Sequence, residues 1–258
     1  MKLMSPFVER FVGPVPFSIT DPQKASAWLV SECKTVSEGP ARTVRLANAY
    51  CVALTESNVP YRQLLSSEGV NFPDGLPVVW AMRFLGRTGD AQRVRGPSFF
   101  ERVLDDGREH GVRHFFLGST RETLDLLIEE CARRYPSVEI AGSLAPPFGE
   151  LTEEFYSDAM AAIDGANADI VWVGMGTPKQ DFAATELARR SGLFCVGVGA
   201  AFDFVAGTTR EAPAWVQSSG LEWLFRLVSE PRRLWRRYFF GNATFLMIAA
   251  RSGIRSLS

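Results

Sequence analysis

RHFFLGSTRETLDLLIEEC, residues 113–131, decides the fold. Arg113–Leu117 reads as a short apolar strand that stops at Gly118. Ser119 and Glu122 then have the spacing of a capping box, which predicts a helix start. Leu124, Leu127, Ile128 and Cys131 follow at i, i+3, i+4 and i+7, the apolar stripe of a helix lying on a sheet. A strand, a glycine turn and a capped helix make one βα unit.

The unit recurs in both directions along the chain. Thr43–Ala47, Val138–Ala141, Ile170–Val173 and Leu193–Val198 read as strands. Gly75–Leu85, Phe99–His110, a segment from Thr152 and Asp181–Arg190 read as helices. Such alternation predicts an α/β fold, a parallel sheet with helices on both faces. Ligands bind such sheets at the carboxyl ends of the strands, here the turns after Gly118, Gly174 and Gly199. Residues 1–40 are less regular and are expected to supply an edge strand and a helix. From Ala212 the pattern is purely helical, with Pro231 placed to start the last helix. We expect an α/β domain over 1–211 and a helical appendage over 212–258.

Charge divides the chain in the same place. The net charge is −1 over 258 residues, but from Leu221 onward there are seven Arg and two Glu. An acidic body with a basic tail fits anionic lipid or a phosphate group better than nucleic acid, since the body has no long basic stripe. The tail runs GVGAAFDFVAGTTREAPAWVQSSGLEWLFRLVSEPRRLWRRY over 197–238, ending with Arg232, Arg233, Arg236 and Arg237 around Trp235 and Tyr238. Clustered arginine beside aromatics suits bidentate binding of phosphate oxygens next to an apolar surface. Leu234, Trp235, Phe239 and Phe240 suit a helix resting in a membrane interface, and equally one packed on the domain. The apolar run Tyr238–Ala250 is too short to span a bilayer. Cys33, Cys51, Cys131 and Cys195 show no C-x-x-C spacing, which predicts reduced thiols in a cytosolic protein.

Each candidate motif has a plain structural alternative. Gly174-Met-Gly176-Thr-Pro178-Lys179-Gln180 follows a strand and opens a helix. It either brings backbone N–H groups to a phosphate or sugar, or is simply a tight turn. Pro73-Asp74-Gly75 is ordinary turn chemistry, or a carboxylate at a strand end acting as general base. Asp203 binds a ligand or caps a helix. His110 and His114 are four apart, but Gly111 interrupts any helix there and no third ligand is evident, so both read as structural. The chain has no Asp-x-Asp, so a bound diphosphate would have to be neutralised by arginine. Arg226, Arg233 and Arg236 are spaced to converge on one site.

At these residues the sequence resembles the WecG/TagA/CpsF glycosyltransferase family over roughly 43–240. The carriers are Asn48, the PDG ending Asp74–Gly75, RVxG at Arg93–Gly96, GxGxPxQ at Gly174–Gln180, and the stretch from Gly197 to Tyr238. The resemblance implies a Rossmann-like fold and an inverting, metal-independent transfer without a cofactor. The donor would be a UDP-sugar, often UDP-N-acetylmannosamine or its uronic acid, and the acceptor a polyprenyl-diphosphate-linked sugar. It implies Asp74 as the base, and Asn48, Arg93 and Gln180 on the sugars. Gly118, Gly174, Gly176, Pro178, Gly199 and Asp203 would serve the nucleotide, and Arg226, Arg233 and Arg236 the diphosphates. The place would be the cytoplasmic face of the membrane, held peripherally through the tail, with a homo-oligomer left open. Leu46, Ser98 and Asp181 depart from the family pattern, which leaves the donor sugar open. Two competitors remain: a nicotinamide oxidoreductase, disfavoured by the missing G-x-G-x-x-G, and a non-catalytic membrane-binding protein.

Overall fold

The strand IVWVG, Ile170–Gly174 (β7), is buried along almost its whole length, which suits an interior strand of a parallel sheet. Its neighbours are Arg113–Gly118 (β5) on one side and Phe194–Gly197 (β8) on the other. Beyond them lie Glu139–Leu144 (β6), Thr43–Ala47 (β3) and Val70–Pro73 (β4), giving the order β4-β3-β8-β7-β5-β6 with every pairing parallel. The computed structural model describes residues 6–34, 42–86 and 89–255; the side chains of Arg233 and Arg237 lie outside that description.

Helices cover both faces, as the alternation predicts. On one face Pro22–Cys33 (α1), Gly96–Gly107 (α5), Arg121–Arg134 (α6) and Ala201–Val205 (α9) bury Leu29, Phe99, Phe100, Leu124, Leu127 and Phe202 against Phe116 and Trp172. On the other, Glu153–Ala166 (α7) and Lys179–Ser191 (α8) bury Ile163 and Leu187 against Val171 and Val173. The helices after β5 and β7 therefore lie on opposite faces. A crevice opens between those two strand ends, as at the switch point of doubly wound sheets.

Two local expectations are corrected. The cap of α6 is Thr120, whose hydroxyl accepts from the Thr123 N–H at 3.2 Å. Ser119 stands one residue outside with φ +56°, in the left-handed turn that leaves β5, so its hydroxyl cannot serve as the cap. The N-terminal strands Glu9–Val12 (β1) and Val15–Ser18 (β2) form an antiparallel pair of their own instead of an edge of the main sheet. The pair lies beside β4, where the Asn71 side chain donates to the Pro16 carbonyl at 2.9 Å.

The tail comprises Ala214–Ser219 (α10), Glu222–Ser229 (α11) and Pro231–Arg255 (α12). Pro231 opens α12, as its position predicts. Phe245 and Ile248 of α12 are buried in one cluster with Val12, Val15 and Phe17 of the hairpin and with Val52 of Ala49–Ser57 (α2). The last helix thus contributes to the core of the α/β body. Among the described residues, no helix is long and apolar enough to cross a membrane.

Candidate active site

The carboxyl ends of β3, β4, β5, β7 and β8 surround a cleft of about 890 Å³, roofed by α11 and α12. Asn48, Asp74, Arg93, Gln180, Gly118, Gly174, Gly176, Gly199, Asp203 and Arg226 all line it. Residues scattered over almost 180 positions of sequence meet because most of them follow strands of one parallel sheet, while Arg93 comes from the segment before Gly96–Gly107 (α5) and Arg226 from α11.

Asp74 sits just past the end of β4. Its Oδ1 accepts from the Gly96 N–H at 3.1 Å, and its Oδ2 has no protein partner among the described residues. Burial lifts this carboxyl to about 6. The charge of Arg93 opposes the rise, Glu222 adds to it, and the Gly96 N–H and Arg95 oppose it more weakly. A carboxylate lifted toward neutrality, lining a cleft and with one oxygen unpartnered among the described residues, is equipped to take a proton.

Asn48 is the cap of α2, its Oδ1 accepting from Tyr50 N at 3.0 Å and Cys51 N at 3.4 Å. Its amide nitrogen has no protein partner among the described residues and can donate into the cleft. Gln180 is shared between two turns: its Oε1 accepts from Gly176 N at 3.0 Å and from Gly199 N at 2.9 Å. That one oxygen fixes the ends of β7 and β8 relative to each other. Two of the glycines also have packing reasons. A Cβ on Gly174 would lie 2.5 Å from the Phe202 ring, and one on Gly118 2.5 Å from the Gly174 carbonyl oxygen. Pro178 follows a cis peptide bond and does not line the cleft. Lys179 does line it, and its ammonium donates to the carbonyl of Gly149, which lines the cleft together with Pro146, Pro147 and Phe148.

The arginines divide. Arg226 of α11 lines the cleft, stacks 5.8 Å from the Phe204 ring centroid, and has no carboxylate partner among the described residues. Arg236 does not reach the cleft. Among the described residues of α12, Leu234, Tyr238 and Asn242 do, and at roughly 100° per residue Arg236 falls on the opposite side of the helix from Leu234. There its guanidinium stacks on Trp235 at 5.3 Å. Arg233 is part of α12, but its side chain lies outside the described residues.

Arg93 is already engaged. Its Nη2 donates to Glu222 at 2.7 Å and its Nη1 to the Gln217 carbonyl at 2.7 Å. Sequence reasoning assigned no role to Glu222 or to Arg95, which donates to the same carboxylate at 2.8 Å. An acid among arginines was the only available signal. Burial acts to raise the Glu222 carboxyl, but the bond from Arg95 and the charges of both arginines hold it below the usual range.

The three departures from the family pattern also separate. Leu46 lines the cleft. Ser98 instead accepts from Arg95 at 3.3 Å. Asp181 is buried and accepts from the Tyr61 hydroxyl at 2.7 Å. Of these, only Leu46 is placed to meet a sugar. His114 is structural: it is buried, accepts from Trp172 Nε1 at 3.0 Å, and is pushed down to about 3 by burial. Among the described residues, no group of three or more His, Cys, Asp or Glu is placed to hold a metal ion.

A cleft at the carboxyl ends of a parallel sheet, lined here by a carboxylate and an arginine without a carboxylate partner among the described residues, is where such a fold binds its ligand. Comparison with known proteins gives the family. The model of the glycosyl transferase WecG/TagA/CpsF family matches residues 11–258, and the chain belongs to that family. It is a glycosyltransferase. A curated relative from Bacillus spizizenii, an N-acetylglucosaminyldiphosphoundecaprenol N-acetyl-beta-D-mannosaminyltransferase, is 32% identical over 184 residues, covering 70% of this chain and 68% of the relative. Among solved structures, a mutant of arylmalonate decarboxylase in a sulfate-associated form covers 76% of this chain and 82% of its own. Its identity is 14% and its TM-score 0.27, too low to bear on fold or chemistry.

Proposed function

We propose that the protein moves a sugar from a UDP-sugar to a polyprenyl-diphosphate-linked sugar during surface-polysaccharide assembly, with inversion and without a metal ion. The donor is of the N-acetylmannosamine type or a related hexose, in line with the activity named for the Bacillus relative. The observation that carries the reading is Asp74: a lifted carboxylate at the end of the edge strand β4, its Oδ2 without a protein partner among the described residues, lining the same cleft as Arg226.

In the transfer, Asp74 takes the proton of the acceptor hydroxyl. The acceptor oxygen attacks the anomeric carbon as the bond from that carbon to the UDP oxygen breaks, and UDP leaves with the electron pair. One in-line displacement inverts the anomeric configuration. Arg226 stabilises the charge gathering on the leaving diphosphate. Asn48 donates to a sugar oxygen, and the turns held by Gln180, with Asp203, receive the nucleotide. Arg236, pointing away from the cleft, fits anionic headgroups of a membrane surface. Exposed Trp235, Phe239 and Phe240 beside it suit the same interface at the cytoplasmic face.

The test is product analysis with a panel of UDP-sugars and a polyprenyl-diphosphate-GlcNAc analogue, with chelator present. One donor should give an inverted glycoside. No transfer from any donor, with UDP still bound, would favour a non-catalytic protein.

A further inference from the structure

We propose that Glu222 is a positioning residue for the transfer: it clamps Arg93 and Arg95 beside Asp74, so docking the tail and assembling the base are one event. The proposal rests on the reading of Asp74 as the base.

The geometry is specific. Glu222 Oε2 accepts from Arg93 Nη2 at 2.7 Å, and Oε1 from Arg95 Nη2 at 2.8 Å and Nε at 3.1 Å. Arg95 Nη1 also pairs with Glu211 at 2.6 Å. These are not solvated surface pairs. The side chains of Arg93, Arg95 and Glu222 are 13%, 8% and 21% exposed, and a buried charge left without its partner is costly. The arginines belong to the segment before α5, and the next residue, Gly96, donates the N–H that Asp74 accepts. One short stretch of backbone therefore holds the tail on one side and the base on the other.

The charge arrangement gives Glu222 a second consequence. Arg93 and Arg95 both act on Asp74 from the loop before α5, and Glu222 acts on it from α11. With Glu222 in place, the guanidiniums are satisfied by a carboxylate other than the base. Without it, two buried cations would face Asp74 and Glu211, and Asp74 would be drawn into an ion pair. The oxygen that should receive the acceptor's proton would then be less basic.

The experiment compares wild type with Glu222→Gln, which keeps shape and removes charge. Two quantities are read: the pH profile of kcat/KM for acceptor-dependent UDP release, and hydrogen exchange of the backbone over residues 214–229. The expected result is an acid limb moved down by about half to one pH unit. A rate lower by about 10- to 100-fold at pH 7.5 and faster exchange in α10 and α11 should accompany it. Glu222→Asp, which retains charge, should leave the limb in place. An unmoved limb in the Gln variant overturns the proposal, even if exchange is faster, because Glu222 would then be only a tether. If the Gln variant does not fold, Arg95→Gln takes its place; it removes a cation from Asp74 and should move the limb up, and an unmoved limb again overturns the proposal. Wild type without acceptor-dependent release, or Asp74→Asn with full release, would instead overturn the reading of the site. The exchange measurement would still report whether Glu222 holds the tail.

Discussion

Asp74 is costly to the fold in the state that makes it useful. Burial lifts its carboxyl from the ordinary 3.8 to about 6. The folded chain therefore binds this proton more tightly than the unfolded chain between those two values. Stability contributed by the protonated acid is present below pH 3.8 and is lost as pH rises through 6. Asp74→Asn should accordingly raise the melting temperature at pH 7.5, by an amount equivalent to about 1–3 kcal/mol, and have little effect at pH 4. Scanning calorimetry at the two pH values reads the difference, and equal effects at both would contradict the lifted carboxyl. The importance of this residue could be read only through the family resemblance, because Pro-Asp-Gly is also plain turn chemistry. Glu222 and Arg95 sit inside the motifs that carry the resemblance, but no role could be read for either. They lie 127 positions apart, and no local pattern records that a tail acid meets a loop arginine.

The strand ends were the most legible part of the molecule. Short apolar runs that stop at glycine and lead into helical stripes allow few arrangements, and the parallel sheet brings their ends together. The tail was misread where helical phase mattered. A spacing of three or seven residues shows that Arg226, Arg233 and Arg236 could share a face, but not which face meets the sheet. Leu234 and Tyr238 settle that for α12, and Arg236 is turned away. The turns themselves depend on a side chain whose job is hidden in sequence. Gln180 reads as a sugar ligand, yet its Oε1 is occupied by Gly176 N and Gly199 N. Gln180→Ala should loosen both turns and raise the donor KM about tenfold, the loss of about 1–1.5 kcal/mol expected for hydrogen bonds of this kind. Donor titration of initial rates checks it. A purely sugar-holding role would lower kcat equally for every donor without disturbing binding of UDP alone.

The division into a body and an added tail, legible in charge and composition, is only partly how the chain packs. Arginine and exposed aromatics set the tail apart, but Phe245 and Ile248 are buried with the N-terminal hairpin and α2. Which core a tail residue joins depends on contacts spanning nearly the whole chain, such as Ser252 Oγ accepting from Gly13 N at 3.0 Å. Phe245→Ala should therefore destabilise the whole protein by about 3–5 kcal/mol in urea unfolding, in one transition. A small early transition confined to the tail would show instead a separately folding appendage. Removing the chain after Gly220 would expose this cluster as well as delete Arg226, so a loss of activity on truncation cannot be assigned to arginine alone. The direct test of Asp74-dependent glycosyl transfer is the pH dependence of acceptor-dependent UDP release for wild type and Asp74→Asn. Wild type should lose activity below a limb near pH 6, and the variant should be lower by about 100-fold or more on the plateau above pH 7 and show no limb. Release that survives in the variant with the same limb would show that another group takes the proton.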